Sequence, residues 1–368
     1  MTRTASQTVV LLGTTKGLFS LRSDDGRASF RLTGPTFPGE EVYSTCIDTR
    51  GAAPRLFAGS VSNHWGPVLR RSDDIGETWV EDQHASLAFP TGTAASLSRI
   101  WQLTPGPTDQ PDVMYAGVEP AALFRSDDGG SSFSLVEGLW DHPHRAQWQP
   151  GGGGLCLHTV LVHPTDPARL LIAISAAGVY LSDDEGSSWR PGNTGIAVGF
   201  LPDAPEPEFG QCVHKVARDA ADPECLYLQH HGGIYRSADG GGSWTSMSPI
   251  AGMDFGFPVV AHPSRAGTAY LLPLESDGYR CTPEGRCTVW RTTDGGDSWE
   301  PLTSGLPQHD AHLTVLRDGF TTDDQDPAGL YLGTRTGEVY ASIDDGDNWR
   351  LIAAHLPPVM SVRAAAIS

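Results

Sequence analysis

The sequence predicts an all-β chain folded as a seven-bladed β-propeller of four-stranded antiparallel blades. Three observations support this: a recurring eight-residue phrase, its regular spacing, and the short apolar runs between its copies. Successive copies start between 49 and 56 residues apart, which is typical of an array of supersecondary units. The phrase reads Ser-x-Asp-x-Gly-x-Ser/Thr-Trp, with looser first and last copies, and it begins at Ser23, Ser72, Ser126, Ser182, Ser237, Thr292 and Ser342.

Each copy of the phrase predicts the turn of a β-hairpin. Its Asp side chain can accept hydrogen bonds from backbone amides of the same turn, and its Gly supplies a positive φ. An apolar run such as 178–181 precedes the turn and a short run follows it, as in two strands joined by an Asp-Gly turn. The terminal Trp or Phe is a large apolar anchor that can pack between neighbouring sheets.

Two further strands are predicted before each hairpin. In the fourth repeat they are residues 157–162 and 169–174, and in the fifth they are residues 213–217 and 225–228. Four short strands in a repeat of this length make one propeller blade.

The two ends of the chain predict how the ring closes. Two strands, 9–13 and 17–21, precede the first phrase, so its blade lacks an inner strand. The C-terminal run 359–367 is the predicted replacement, since 49 residues separate the last phrase from the first when counted through both termini. This pairing removes the exposed edges of an open array, and the whole chain, 1–368, is expected to form a single domain.

Composition narrows the function only slightly. The chain has 44 Asp and Glu against 25 Lys and Arg, and it lacks the basic stripe that indicates nucleic-acid binding. Fourteen Asp and two Glu lie inside the seven phrases, so much of the negative charge belongs to turns. The short polar start and the absence of a run of about 18 apolar residues predict a cytoplasmic protein with no membrane partner.

Six cysteines are scattered along the sequence. Cys156 and Cys212 hold equivalent places just before two inner strands, where small buried thiols are expected. Cys281 and Cys287 bracket a loop; they indicate a disulfide in a secreted protein and free thiols in a cytoplasmic one.

The recurring phrase resembles the Asp-box, or BNR repeat, and the chain resembles the Asp-box propellers throughout its length. That group includes sialidases, glycosidases that process oligoxyloglucans, sortilin-type receptor ectodomains and a photosystem II assembly factor. The resemblance implies a propeller fold with the phrases on the face away from the active site, so no phrase residue is a catalytic candidate. Function varies too widely in the group to be carried over from the repeat.

True sialidase activity is not expected from these residues. Sialidases are similar to one another in an Arg-Ile-Pro element, three arginines that clamp a carboxylate, and six blades. Here Arg99-Ile100 is followed by Trp101. Arg99, Arg335 and Arg363 are the arginines that a shared axis could bring together. The glycosidases with tandem propellers place their site in a cleft between two domains, which one ring does not form.

The register of the repeats predicts a functional site around the axis of the ring. The inner strands of all blades begin on one face of the ring. The loops between the second and third strands of each blade lie on the same face, which we call the axial top face. Histidines are predicted at the start of three inner strands, in blades four, five and seven. The candidate catalytic residues are His158, His214, His231, His312, Glu119 and Glu275. The candidate substrate-binding residues are Arg335, Trp65, His64, Trp101 and Trp148.

Converging imidazoles with a carboxylate are the composition of a metal site. The sequence therefore predicts one divalent transition metal of unknown identity, with an open position for water or substrate. The candidate ligands are His158, His214, His312 and His231. The same groups could instead act as general base and acid without a metal, and copied histidines that only bond the backbone are a further alternative.

Two long loops are expected to cover the axial top face. Residues 140–154 carry Trp and His residues and lead into the strand of His158, and residues 275–286 are an insertion in blade six. The alternative is that both segments are ordinary surface loops that cover no site. No nucleotide cofactor is expected, because the glycine run 151–154 is not followed by the helix that phosphate-binding loops require.

The sequence favours an enzyme, hydrolase- or lyase-like, that acts on a small molecule or glycan at the axial top face. The alternative is a non-catalytic propeller that binds a protein or peptide there, as the assembly-factor relatives do. A deep pocket in which histidines meet favours the enzyme, and a broad, shallow, apolar face favours the scaffold.

Overall fold

The computed structural model describes residues 7–81, 86–199 and 206–367, and it confirms the predicted fold. Within those residues, seven four-stranded antiparallel sheets form a ring, and the inner strands of successive blades contact one another around its axis. Helix is confined to a few short turns.

The strand bounds follow the repeats. Blades one and two contain β1 (Gln7–Thr14), β2 (Gly17–Ser23), β3 (Arg31–Thr36), β4 (Glu41–Asp48), β5 (Arg55–Ser62), β6 (Gly66–Ser72) and β7 (Val80–Glu81). Blades three and four contain β8 (Arg99–Pro105), β9 (Met114–Glu119), β10 (Ala122–Ser126), β11 (Ser134–Leu135), β12 (Cys156–Val162), β13 (Leu170–Ser175), β14 (Gly178–Ser182) and β15 (Arg190–Pro191).

The remaining strands complete the ring. Blades five to seven contain β16 (Val213–Arg218), β17 (Leu226–His230), β18 (Gly233–Ser237), β19 (Thr245–Met247), β20 (Gly256–Ala261), β21 (Ala269–Pro273), β22 (Val289–Thr292), β23 (Glu300–Leu302), β24 (Phe320–Thr322), β25 (Leu330–Gly333), β26 (Val339–Ser342) and β27 (Trp349–Ala353). The last strand is β28 (Val359–Ile367). The short helical segments are α1 (Glu137–Trp140) and the 3-10 turns Arg145–Gln147 and Pro283–Gly285.

The ring closes as the two termini predict. Strand β28 is the inner strand of blade one and pairs antiparallel with β1, with Gln7 opposite Ile367 and Thr14 opposite Val359. The order in that sheet is β28-β1-β2-β3. Blade one therefore joins the first and last strands of the described chain and leaves the ring without an open seam.

All seven phrases adopt one turn, between the third and fourth strands of their blades. In blade two the Ser72 hydroxyl donates to the Asp74 carboxylate at 2.7 Å, and Asp74 accepts the backbone N–H of Thr78 at 2.9 Å. The same pair of bonds recurs in the other six copies. These turns lie at the opposite end of the third strands from the axial top face.

Apolar packing between blades stabilises the ring. One buried cluster joins blades three and four and includes Tyr115, Leu123, Leu157 and Tyr180. The Trp244 indole, also buried, donates to the Gly192 carbonyl of the preceding blade at 2.9 Å. Among the described residues, no helix is both long and apolar enough to pass through a bilayer.

The turn aspartates should make the fold sensitive to acid. Hydrogen bonds from Ser298 and Thr292 lower the pKa of Asp294 from 3.8 to about 2. A carboxylate with a depressed pKa in the folded state stabilises it above the unfolded pKa, and this stabilisation is lost as the pH falls towards about 2. Asp294→Asn should therefore lower the unfolding temperature at pH 7 and flatten its decline between pH values of about 4 and 2. Asp297→Asn is the matched control, and an equal effect of both changes would contradict the assignment.

Candidate functional site

The inner strands bend where they begin. Register shifts mark β-bulges near the start of β4, β8, β12, β16 and β20, and opposite β1 in β28. A bulge leaves an extra residue off the regular pleat and can aim its side chain in a new direction. The residues at these bulges include Tyr43, Trp101, His158, His214, Phe257 and Met360.

Five of these six side chains line one pocket on the axis. The pocket lies at the axial top face and encloses about 190 Å³. Its aromatic and apolar lining includes Tyr43, Trp101, Phe255, Phe257, Leu316 and Met360. Its polar lining includes Ser175, Cys212, His214, His231, Arg280, Arg317 and Asp318. A concave pocket of mixed polarity that contains both His214 and His231 favours the enzyme over the scaffold.

Blade five brings three metal-ligating side chains together in this pocket. Cys212 directly precedes β16, His214 is the bulged residue of β16, and His231 lies in the turn between β17 and β18. One ligand atom from each residue lies within 4.8 Å of the others. The Cys212 Sγ to His214 Nε2 distance is 3.8 Å. Two such atoms bound to one tetrahedral zinc ion lie about 3.6 Å apart, so the pair is spaced for a shared ion.

The imidazole of His214 is held in one orientation. Its Nδ1 donates to the Gly256 carbonyl of blade six at 2.6 Å, and its ring packs against Phe257 with centroids 4.9 Å apart. Metal-binding histidines commonly make this second hydrogen bond, which fixes the tautomer and leaves the other nitrogen for the ion. Here Nε2 is the nitrogen left facing Cys212.

The protonation states of this pair argue against a thiolate nucleophile. Burial, followed by the charge of Arg317, lowers the pKa of His214 well below its usual range. Burial raises the pKa of the Cys212 thiol, with the Arg317 charge acting in the opposite direction. The neutral imidazole can bind a metal directly, whereas the thiol keeps its proton until a cation displaces it.

An ion network closes the pocket below. Asp318, which precedes β24, accepts a hydrogen bond from Lys215 Nζ at 2.8 Å and another from the Arg363 guanidinium. Burial raises the pKa of Asp318, but the charges of Lys215 and Arg363 outweigh it and hold that pKa well below its usual range. Lys215 also reaches the Gln102 side chain at 3.3 Å. These groups separate the pocket from a second cavity on the same axis.

Both predicted loops reach the pocket. A Cβ added at Gly151 would lie 2.7 Å from Ser175 Oγ, so this glycine permits close approach beside Cys212. Gly152 and Gly153 line the pocket, together with Arg280 from the blade-six insertion. A Cβ added at Gly152 would lie 3.6 Å from Arg280 Nη2, so the two loops meet at the mouth of the pocket.

The structure separates His158 from the other histidines. Its ring is fully buried between blades, where Nε2 donates to the Val213 carbonyl at 3.0 Å and Nδ1 accepts from the Thr159 hydroxyl at 3.0 Å. Both nitrogens are used, so His158 links β12 to β16 next to His214. The structural alternative for copied histidines applies here, and neither ring nitrogen of His158 is left for a metal ion.

His312 does not begin an inner strand, which corrects the predicted register of blade seven. The inner strand β24 starts only at Phe320, and His312 lies exposed on the segment before it. Its Nδ1 bonds the Tyr279 hydroxyl at 3.0 Å. The register of the repeats misplaces His312 because the residues between it and Phe320 form irregular chain rather than strand. Glu275 is also exposed and lies outside the pocket lining.

Glu119 and Trp101 form a linked pair at the pocket wall. Trp101 lines the pocket, and its indole donates to the Glu119 carboxylate at 3.0 Å. Arg99 donates to the same oxygen at 3.0 Å. Glu119 therefore orients Trp101. It also lies against Gly154, since a Cβ added at that glycine would collide with the Glu119 carboxylate.

The other predicted substrate-binding residues are dispersed. Trp148 is buried and donates to the Tyr180 hydroxyl at 2.8 Å, so it anchors the 140–154 loop to the core instead of facing a ligand. Trp65 is 81% exposed and His64 is exposed beside it. The Arg335 guanidinium contacts Met360 Sδ, next to the pocket lining.

Sequence reasoning missed several lining residues. Cys212 is expected from the sequence to be a small buried thiol, and its place two residues before His214 does not distinguish it, because Cys156 stands in the same place before His158. Arg317, Arg280 and Met360 carry no motif, and only the folded ring places them on the axis. All six cysteines are free thiols, including Cys281 and Cys287.

The chain has distant relatives among characterised proteins. It is 25% identical over 325 residues to a xyloglucanase of Hypocrea jecorina (strain QM6a), covering 78% of this chain and 36% of the relative. It is 25% identical over 307 residues to a xyloglucanase of Paenibacillus sp., covering 81% of this chain and 25% of the relative. The chain thus spans about a third or less of the length of these relatives. No family profile matches it.

Two solved structures share the fold. An ancestral GH74 enzyme superimposes with a TM-score of 0.58 at 17% identity, covering 84% of this chain and 38% of that one. The structure of YCF48 bound to D1 peptide gives a TM-score of 0.52 at 12% identity, covering 96% of this chain and 85% of that one. At these identities the similarity concerns the propeller itself.

Proposed function

We propose that the chain is a hydrolase- or lyase-like enzyme of the Asp-box propeller group whose site is the axial pocket, with one divalent transition metal held by Cys212, His214 and His231. The observation that carries this is the convergence of three ligand atoms within 4.8 Å in the axial pocket. Three protein ligands with a fourth position left open are the composition of a catalytic zinc site. A bound ion of this kind would activate water or polarise a substrate oxygen.

The surrounding residues have definable tasks in this proposal. Gly256 fixes His214 through its carbonyl, and Phe255 and Phe257 exclude water from the ring. Asp277 lies 3.4 Å from His231 Nε2 and can orient that imidazole. Preorganised ligands and a dry wall strengthen the polarisation of whatever oxygen occupies the fourth position.

The curated relatives support a hydrolase and a carbohydrate substrate, since both are xyloglucanases. The usual glycosidase mechanism nevertheless needs two carboxyl groups that flank the bond. In the described part of the pocket lining, Asp318 is the carboxylate, and it is shared by Lys215 and Arg363. The pocket therefore favours metal-assisted chemistry on a small molecule over cleavage of a polymer by a carboxylate pair.

A peptide-binding scaffold is the second candidate. YCF48 bound to D1 peptide has a similar propeller, and Trp65 and Tyr279 are large exposed side chains here. A pocket that brings metal-ligating side chains together is not needed for such a role. A peptide would be expected to bind equally well after the metal ligands are replaced.

Metal analysis tests the proposed enzyme. Purified protein should carry or take up about one equivalent of zinc or cobalt, and the cobalt form should show thiolate-to-metal charge-transfer absorption. Chelation should abolish hydrolysis of a panel of small esters, lactones and xyloglucan oligosaccharides, and added metal should restore it. His312→Ala is the matched control and should behave as wild type. Full activity in a metal-free sample would contradict the proposal.

A further inference from the structure

Two arginines face the axial pocket from different parts of the ring. Arg317 comes from the segment before β24, and Arg280 comes from the blade-six insertion. The Arg317 guanidinium lies 5.3 Å from the centroid of Trp101, and Arg280 lies 5.7 Å from the centroid of Phe257. Both cations are therefore held against aromatic rings of the pocket wall.

Neither arginine forms an ion pair with a carboxylate in residues 7–81, 86–199 and 206–367. Within the described part of the chain, Arg317 Nη1 contacts the Cys156 sulfur at 3.8 Å, and its Nε is buried without a hydrogen-bond partner. Arg280 Nε donates to the Asp277 carbonyl at 2.7 Å. The Arg280 side chain is exposed, whereas the Arg317 Nε is a buried donor whose missing partner is costly unless a ligand supplies it.

Three other cations near the axis are paired with carboxylates, whereas Arg335 contacts Met360 Sδ beside the lining. Lys215 and Arg363 share Asp318, and Arg99 is paired with Glu119 at 3.0 Å. The positive charge that remains in the pocket thus comes from the two free guanidinium groups. A divalent ion bound to one thiolate would add to this charge, and an anionic ligand would offset it.

We infer that the axial pocket binds a small molecule carrying an oxyanion, either a carboxylate or a phosphate, with Arg317 and Arg280 as its anchors. Guanidinium groups match both anions through paired N–H donors. Trp101 and Phe257 would contact the apolar face of the same ligand. This inference rests on the proposed function for the chemistry at the metal, although anion binding itself needs no metal.

The size of the site limits the ligand. The pocket has a volume of about 190 Å³, and Gly152, Gly153 and Arg280 line its mouth. That space suits a molecule of one sugar ring or less better than a polymer. An acidic monosaccharide or a sugar phosphate combines this size with the required charge.

Calorimetric titration of chelator-treated, metal-free protein tests the inference. Glucuronate and glucose 6-phosphate are the anionic probes, and glucuronamide and glucose are their neutral matches. We expect one or both anions to bind with at least about tenfold higher affinity than the neutral probes, and the preferred anion identifies carboxylate or phosphate chemistry. Equal binding of charged and neutral probes, or no binding of either anion, would overturn the inference.

Variants locate the anion. Arg317→Met should weaken binding of the preferred anion by about tenfold to 100-fold, and Arg317→Lys should retain part of it. Arg286→Met is the control. Arg286 lies on the same blade-six insertion as Arg280, is 58% exposed and is paired with Glu284, so this variant should bind the anion as wild type does. Thermal unfolding confirms that each variant is folded. Wild-type affinity in Arg317→Met would overturn the assignment. Because no metal is present, this result is independent of the metal analysis.

Discussion

Replacing His214 by alanine is expected to lower the affinity for a divalent transition metal by more than about 100-fold. Replacing a residue that merely hydrogen-bonds a metal ligand already lowers the affinity by about 10- to 100-fold. His214 offers Nε2 to the ion and is fixed through Nδ1 by the Gly256 carbonyl. The loss follows from removing one of three protein ligands. Competition with a chromogenic chelator measures the affinity directly.

The same variant should remain folded, which separates a ligand role from a structural one. Losing the bond to the Gly256 carbonyl costs about 1–3 kcal/mol, a fraction of the stability of a typical domain. Cys212→Ser should lower metal affinity comparably while leaving the carbonyl bond intact. His158→Gln, next to the site but not in it, should keep metal affinity within about tenfold of wild type. A His214→Ala protein that binds metal like wild type would contradict the assignment.

Replacing Asp318 by alanine is expected to destabilise the ring by up to about 3–5 kcal/mol, because it leaves two mostly buried cations, with side chains 15% and 22% exposed, without a counter-charge. Lys215 and Arg363 both donate to this carboxylate, whose side chain is 5% exposed. They come from β16 and β28, so the network ties three parts of the ring together at the axis. Denaturant unfolding at pH 7 measures the loss.

Two further variants make that prediction specific. Lys215→Met in the Asp318→Ala background should recover part of the lost stability, since it removes one uncompensated cation. Asp127→Ala, which breaks a surface ion pair of an acid that is 68% exposed, should change stability by less than about 1 kcal/mol. An Asp318→Ala protein as stable as Asp127→Ala would refute the account of the axial network.

The fold was predictable because local chemistry repeats. A hydroxyl and an aspartate at fixed offsets form the same turn in all seven copies, and a glycine stands at a fixed offset in six of them, as Ser72, Asp74 and Gly76 illustrate. The regular spacing of these turns indicates one such turn in each blade, so the seven copies give seven blades. The closure by β28 followed from counting residues, and its observed bounds, Val359–Ile367, match the predicted strand.

The site was predictable only where blades follow the repeat closely. His214 and Trp101 were identified by register, and both line the pocket. His158 has the same register as His214, but its ring turns between blades because Val213 and Thr159 satisfy both nitrogens. His312 was misplaced because blade seven begins its inner strand only at Phe320.

The remaining site residues depend on long-range geometry. Bulges decide which side chain points to the axis, and a bulge is not visible in the alternation of a short strand. Arg317 belongs to an irregular segment, and Arg280 to an insertion without a repeat equivalent. Cys212 looked like a small buried hydrophobe, since nothing in its local sequence distinguishes it from Cys156.

A crystal structure of zinc-loaded protein, with anomalous data collected at the zinc edge, would show whether Cys212, His214 and His231 bind one metal ion at the axis. We expect one anomalous peak bonded to Cys212 Sγ at about 2.3 Å and to nitrogens of His214 and His231 at about 2.0–2.1 Å. A zinc-loaded crystal without a peak between these three side chains would contradict this expectation.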